Sequence, residues 1–317
     1  MQLPQIHSIT KKVLVALVGA FLLLFLLFHM TANLFILRHD DGAWYSAFCH
    51  FMGTNWVVKI FEVVLLGVVV LHIVLTIWLA LTNRLARPTR YHQRQRSKTH
   101  ANSKLMAWTG ALIFAFLVMH FCQLYFVKIG WVKGEYMVEV EKLQTEEVMT
   151  VQQYAMQQQM TPADWVAELE AQVSMYASQM TPEQQQEMQA NIQSLRDALP
   201  VAELLRPENL SADRKWVRHI DYDQRNMLKK TVPDCGVEPD FYYMSREFFH
   251  NGIMVLLYLA AFVVLFMHLT HAFPSVFQTL GLNNYKYNCA IEVLGKIYTA
   301  VIVLGFAIVP ILVYLGL

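Results

Sequence analysis

VLVALVGAFLLLFLLFHMTANLFIL, residues 13 to 37, is a run of twenty-five residues without a single Asp, Glu, Lys or Arg. A helix crosses a hydrocarbon core of about 30 Å in about 20 residues, so this run is long enough to span a membrane. It follows Lys11 and Lys12 and could be mistaken for a secretory leader. It overruns the apolar part of a leader, about 7 to 15 residues, and has no A-x-A cleavage site, so it is read as a retained span. Four more such runs occupy residues 56–82, 105–129, 251–277 and 287–317. The whole chain is 56% hydrophobic and 15% charged, against about 25% charged in soluble domains, which excludes an ordinary soluble enzyme. The expected fold class is an all-α membrane protein: a five-helix transmembrane bundle, with a largely helical extramembrane insertion between the third and fourth spans.

Charge sets the expected topology. Between the second and third runs, residues 83–104 carry Arg84, Arg87, Arg90, Arg94, Arg96, Lys98 and Lys104 with no acidic residue, which assigns this loop to the cytoplasm. The amino terminus is then cytoplasmic, while residues 131–245 and the carboxyl terminus face the periplasm of a bacterial inner membrane. The chain thus divides into residues 1–130 with three spans, the insertion 131–245, and residues 246–317 with two spans. The insertion holds 19 acidic against 10 basic residues in a chain whose net charge is +1. It is rich in Gln and Met and repeats a helix-start signal, QMTPAD at 159–164 and QMTPEQ at 179–184. Threonine caps the orphan amides, proline suits the first turn, and an acidic or Gln residue closes a capping box. Two helices are expected, near 162–178 and 182–198. Large apolar residues are few there, so no independent core is expected, and the segment should pack on a partner or on the outer loops.

Histidine is the unusual supply, with twelve in the chain. His29, His72, His120 and His268 each lie deep in a different span, and intramembrane ionisable residues are functional candidates. At about 1.5 Å per residue, His29 and His120 stand roughly 24 Å and 22 Å above the cytoplasmic starts of rising helices, in the outer half. His72 and His268 lie roughly 24 Å and 26 Å down descending helices, in the inner half. The depths yield two pairs separated by roughly 18 Å. Two opposed imidazoles suit the axial positions of a haem iron, whereas zinc needs three or four ligands around one point. Two haems b stacked across the bilayer are therefore expected, with His29, His72, His120 and His268 as iron ligands. His271 is the exchangeable alternative to His268, because three residues turn a helix by about 300°. Spans one and three also align without gaps: Gly19-Ala20, Phe25-Leu26, His29 and Phe35 match Gly110-Ala111, Phe116-Leu117, His120 and Phe126. The two glycines allow close approach of a flat ring or of another helix. Four cysteines, none in a C-x-x-C pair, exclude zinc ribbons, c-type haem attachment and thiol-held clusters.

Residues 25–33 (FLLFHMTAN), 50–55 (HFMGTN), 71–79 (LHIVLTIWL), 84–91 (RLARPTRY) and 268–282 (HLTHAFPSVFQTLGL) resemble the di-haem cytochrome b membrane anchor of succinate dehydrogenase and quinol:fumarate reductase. The resemblance covers all five spans, about 200 of the 317 residues. It implies His72 with His268 as axial ligands of a proximal haem and His29 with His120 for a distal one. It implies a flavoprotein subunit and an iron–sulfur subunit on the cytoplasmic side, with a quinone, commonly menaquinone, as electron partner. On that reading the chain is a non-catalytic electron-transfer subunit, embedded in lipid and with no nucleic-acid partner. The long insertion departs from the family, where this connection is much shorter.

A quinone site needs an apolar slot, hydrogen bonds and a proton route. Glu62, Lys59 and His50 form a polar group at the outer end of span two, to be read either as quinone ligands or as a Lys59 ion pair at the interface. Glu292 and Lys296 make an i, i+4 pair of structural type. A disulfide between Cys49 and Cys235 is chemically open on an oxidising outer side, while Cys122 and Cys289 read as packing residues. Two other readings remain. One is the cytochrome b subunit of a different respiratory complex, such as a formate dehydrogenase or hydrogenase; the other is a histidine-lined membrane transporter.

Overall fold

The computed structural model describes residues 8–85 and 105–317. The basic loop beyond Leu85, up to Lys104, lies outside the described residues. In chain order the helices are α1 (Ser8–Leu34), α2 (Ala43–Thr54), α3 (Trp56–Leu85), α4 (Met106–His120), α5 (Glu146–Gln157), α6 (Pro162–Tyr176), α7 (Pro182–Leu204), α8 (Tyr222–Thr231), α9 (Phe241–His250), α10 (Gly252–Thr279) and α11 (Asn288–Tyr314). Three short strands join them: β1 (Tyr136–Glu139), β2 (Trp216–Ile220) and β3 (Glu238–Pro239). The chain is mostly helical, and five helical stretches are long and apolar enough to cross a membrane: Ile9–Leu37, Trp56–Leu85, Met106–Lys128, Gly252–Thr279 and Asn288–Tyr314. It divides into two compact units.

The first unit comprises Met1–His39, Ala47–Cys122 and Ser245–Leu317. Helices α1, α10 and α11 pack on one another, and Met30, Leu269 and Ile302 form their common core. Without a hydrophobic drive between helices in lipid, contact depends on small residues and hydrogen bonds. Gly305 accordingly faces Met30, Gly295 faces Phe273, and Tyr298 Oη donates to the Leu23 carbonyl. Helix α3 packs its backbone on α1, and α4 packs on α10. Among the described residues, the crossed pairs α1/α4 and α3/α10 make no comparable backbone packing. Lys11 Nζ lies 3.9 Å from the Trp78 ring centroid, setting the start of α1 beside the end of α3. Helix α2, in the first connection, is too short and polar for a hydropathy scan to single out.

The second unit comprises Asp40–Ser46 and Gln123–Met244. Both capping signals are used: Thr161 Oγ1 accepts from Asp164 N, and Thr181 and Gln184 close a full capping box. Helix α7 runs past the expected residue 198 and through Pro200. Pro200 removes one ladder bond, and the burial of Val201, Ala202 and Leu204 in the same turn offsets that loss.

The expectation that this segment lacks its own core is wrong. Tyr136, Val138, Leu143, Val151, Val201, Val217, Ile220 and Leu228 are all 0% exposed. The sheet, unforeseen in the sequence, has the antiparallel order β2-β1-β3, with Tyr136 opposite Ile220 and Pro239. The core is built from valines, alanines and four- or five-residue strands rather than from long apolar runs. Arg218 fastens Asp40–Ser46 to this sheet: Nη2 donates to Ser46 Oγ (2.7 Å), Nη1 to the Asp41 carbonyl (2.9 Å), and Nε lies 3.3 Å from Asp240 Oδ2. Burial pushes the carboxyl of Asp240 up from its ordinary range, and the Arg218 guanidinium pulls it partly back. Cys49, Cys122, Cys235 and Cys289 are all thiols, so the disulfide considered for Cys49 and Cys235 is not formed.

Candidate functional site

The four intramembrane histidines come from four helices, and two of them meet ring to ring. His29 on α1 and His120 at the end of α4 face each other with ring centroids 6.0 Å apart and planes at 77°. The repeat aligned in the sequence has a physical counterpart here. Phe25 stacks one turn before His29 at 5.3 Å and 14°, and Phe116 stacks one turn before His120 at 5.8 Å and 20°. Phe306 closes on His29 at 5.7 Å, and Tyr258 closes on His120. A π turn, Phe121–Tyr125, begins directly after His120, a local underwinding often found at functional positions.

His72 on α3 and His268 on α10 lie within electrostatic reach of one another, and His271 also acts on His268. Gly110 lies against the His268 ring, where a Cβ would stand 3.7 Å from Cε1; Gly19 instead faces Val276, so its role is helix packing. His72 Nδ1 is buried with no hydrogen-bond partner among the described residues.

The outer nitrogens show which ring atoms are available. Thr109, 4% exposed, donates its hydroxyl to the Met106 carbonyl at 3.1 Å and lies 3.1 Å from His268 Nδ1. With that hydrogen used, Thr109 Oγ1 faces the ring as an acceptor, so Nδ1 carries the proton and Nε2 keeps its lone pair. Tyr258 Oη stands 3.4 Å from His120 Nδ1. Asn33 Nδ2 donates to the His29 carbonyl at 2.7 Å and lies 3.4 Å from His29 Nδ1. Sequence reading missed Thr109 and Tyr258. Their signal was a hydroxyl in an otherwise apolar span, but which hydroxyl meets which ring depends on helix rotation.

Two imidazoles opposed on one metal, each with a bond of about 2 Å and roughly 1.1 Å from nitrogen to ring centre, place their centroids roughly 6 Å apart. The His29/His120 spacing therefore suits two axial ligands. His29 and His120 thus meet across α1 and α4, a helix pair without the close backbone packing of α1/α3 or α4/α10. Among the described residues, no three His, Cys, Asp or Glu side chains converge on a point.

The quinone-site candidates lie on two helices. Lys59 and Glu62 are one turn apart on α3 and His50 is on α2. Lys59 makes no ion pair among the described residues, and neither do Glu292 and Lys296, so both expected ion pairs are absent there. Phe61, beside Glu62, packs on Phe21 at 5.6 Å, which lies eight residues before His29. That is roughly 12 Å along α1, so Glu62 is displaced from the His29/His120 pair toward the amino-terminal end of α1.

The chain matches no protein-family model, no curated protein and no solved structure.

Proposed function

We propose that this chain is the membrane-anchor cytochrome b subunit of a succinate dehydrogenase or quinol:fumarate reductase, passing electrons between an iron–sulfur subunit and a quinone through two bis-histidine haems b. The observation that carries the reading is that four spans each contribute one histidine: the His29 and His120 rings face each other at 6.0 Å, and His268 lies within electrostatic reach of His72. Haem supplies reversible one-electron transfer, with no open site for oxygen when both axial positions are filled.

The chain's own residues supply the rest. His29 and His120 hold the outer haem and His72 and His268 the inner one. Phe25 and Phe116 fix the His29 and His120 rings by stacking, while Tyr258 meets His120, and Thr109 meets His268, at Nδ1. Such outer partners set ring orientation and ligand basicity. The surrounding Leu, Val and Phe keep water from the path. The flavoprotein and iron–sulfur subunits belong on the cytoplasmic side, against the basic loop. The quinone, menaquinone by preference, takes Glu62, Lys59 and His50 as its polar candidates, with Glu62 displaced from the outer pair toward the amino-terminal end of α1. Dicarboxylate chemistry lies in the partner subunit.

The purified complex should show two haems b per chain in reduced-minus-oxidised spectra with a pyridine haemochrome count. A count of zero would overturn the reading and favour a histidine-lined transporter. Two haems with a formate- or hydrogen-oxidising partner would keep the chemistry and change the complex.

A further inference from the structure

Arg225 on α8 is only 7% exposed, yet among the described residues it forms no ion pair. Its Nε has no hydrogen-bond partner, and Nη1 reaches only Asn226 Oδ1 at 3.4 Å. The guanidinium is instead set against rings, with Cζ 4.8 Å from the centroid of Tyr136 and 5.7 Å from that of Tyr222. Taking such a charge out of water without a counter-charge is strongly unfavourable, because nothing replaces the lost hydration. Aromatic contact returns only part of that cost, which leaves the site short of an anion.

Two further cations stand beside it. Lys133 Nζ lies 5.8 Å from the centroid of the same Tyr222 ring. Lys229 is one turn along α8, where burial first and then the Arg225 charge push its ammonium down from its ordinary range. Neither lysine makes an ion pair among the described residues. This happens in a segment with 19 acidic and 10 basic residues, where carboxylates are the commoner neighbours.

The place of the cluster identifies its ligand. The guanidinium lies on the backbone of Gly130 (φ +79°), where a Cβ would stand 2.6 Å from Nη2. Gly130 follows by two residues the end of the apolar span Met106–Lys128. Around it Ile129, Trp131 and Val132 are 39%, 77% and 38% exposed. An exposed tryptophan at a span's end marks the headgroup level of a bilayer.

We infer that Arg225, with Lys133 and Lys229, binds the phosphate of a phospholipid headgroup at the outer end of the third span. Arginine offers phosphate a two-pronged set of donors, and the lysines add point charges. Inorganic phosphate presents the same oxygens without acyl chains, so the two sources are separable. The inference uses none of the histidines and stands apart from the haem reading.

The test is thermal unfolding of the delipidated full chain in detergent, titrated with phosphatidylglycerol, with an uncharged galactosyl diacylglycerol, or with inorganic phosphate. Phosphatidylglycerol should raise the melting temperature of the wild type where the other two at equal concentration do not. Arg225→Gln should weaken the apparent lipid affinity about tenfold or more, the worth of about 1.4 kcal/mol. The double variant Lys133→Ala/Lys229→Ala should lose less, and it keeps the inference testable where Arg225→Gln fails to fold. An equal response to the galactolipid, an equal response to inorganic phosphate, or wild-type affinity in a folded variant would overturn it.

Discussion

Replacing Thr109 by Val keeps the shape of the side chain and removes one oxygen. In the wild type that oxygen accepts from His268 Nδ1 at 3.1 Å while its hydrogen goes to Met106. The variant leaves the Nδ1 proton without a partner at a position only 4% exposed, which costs about 1 to 3 kcal/mol. At about 1.4 kcal/mol per tenfold, that corresponds to a loss of roughly 5- to 150-fold in affinity for the group that His268 ligates. Outer partners of metal-bound histidines are typically worth about 10- to 100-fold, within the same range. The acceptor also makes the ring more electron-rich and favours the ferric state, so the potential of the inner haem should rise in Thr109→Val. The assay is a potentiometric titration of the purified complex followed by its haem spectra. One haem should shift and weaken, the His29/His120 haem should stay unchanged, and Thr109→Ser should restore the wild type. Equal shifts of both haems would mean a loosened bundle rather than a lost ligand contact. No shift in either would refute the argument from the Nδ1 proton.

Other substitutions test neighbouring links. Tyr258→Phe should move the outer haem in the same direction but by less, since its contact with His120 Nδ1 is 3.4 Å long; an effect larger than that of Thr109→Val would reverse this ranking. His268→Ala should remove the inner haem spectrum and His271→Ala should leave it in place, and the opposite result would exchange the two. Glu62→Gln should slow quinone turnover with the haem content intact; unchanged turnover would remove Glu62 from the quinone site. In the second unit, Arg218→Met strands the fully buried Asp240 and should destabilise the sheet by about 3 to 5 kcal/mol, read by hydrogen exchange across Trp216–Ile220 in the full chain. Because burial raises the Asp240 carboxyl, the folded unit binds more protons than the unfolded chain just above the ordinary carboxylate range. Its stability should therefore fall as pH rises through that interval, and Asp240→Asn should flatten the slope.

The spans were legible because each is a long apolar run, and their ends moved by only a few residues between sequence and structure. The meeting of His29 with His120 was legible from depth, since rise per residue is fixed in a helix and needs no knowledge of packing. What depth cannot supply is rotation about the helix axis. Thr109 and Tyr258 meet their histidines sideways, from other helices, and nothing in their own segments marks the partner. The sheet was hidden for a different reason. YMVE and WVRHI are short, they lie 76 residues apart, and their pairing is a long-range event with no local periodic signal. The capping threonines at 161 and 181 show the converse: a contact spanning three residues is written where it acts.

The uneven packing of the five long helices carries a consequence for how the protein is made. Three of them, α1, α10 and α11, form a self-supporting core, while α3 hangs from α1 and α4 hangs from α10. Each histidine pair joins one residue of the core, His29 or His268, to one residue of a hanging helix, His120 or His72. On the haem reading proposed above, each bound group would tie one of the two outlying helices to the three-helix core, so the assembly of the bundle and its loading would be one event: an empty chain would hold α3 and α4 by one helix neighbour each, and a loaded one by two.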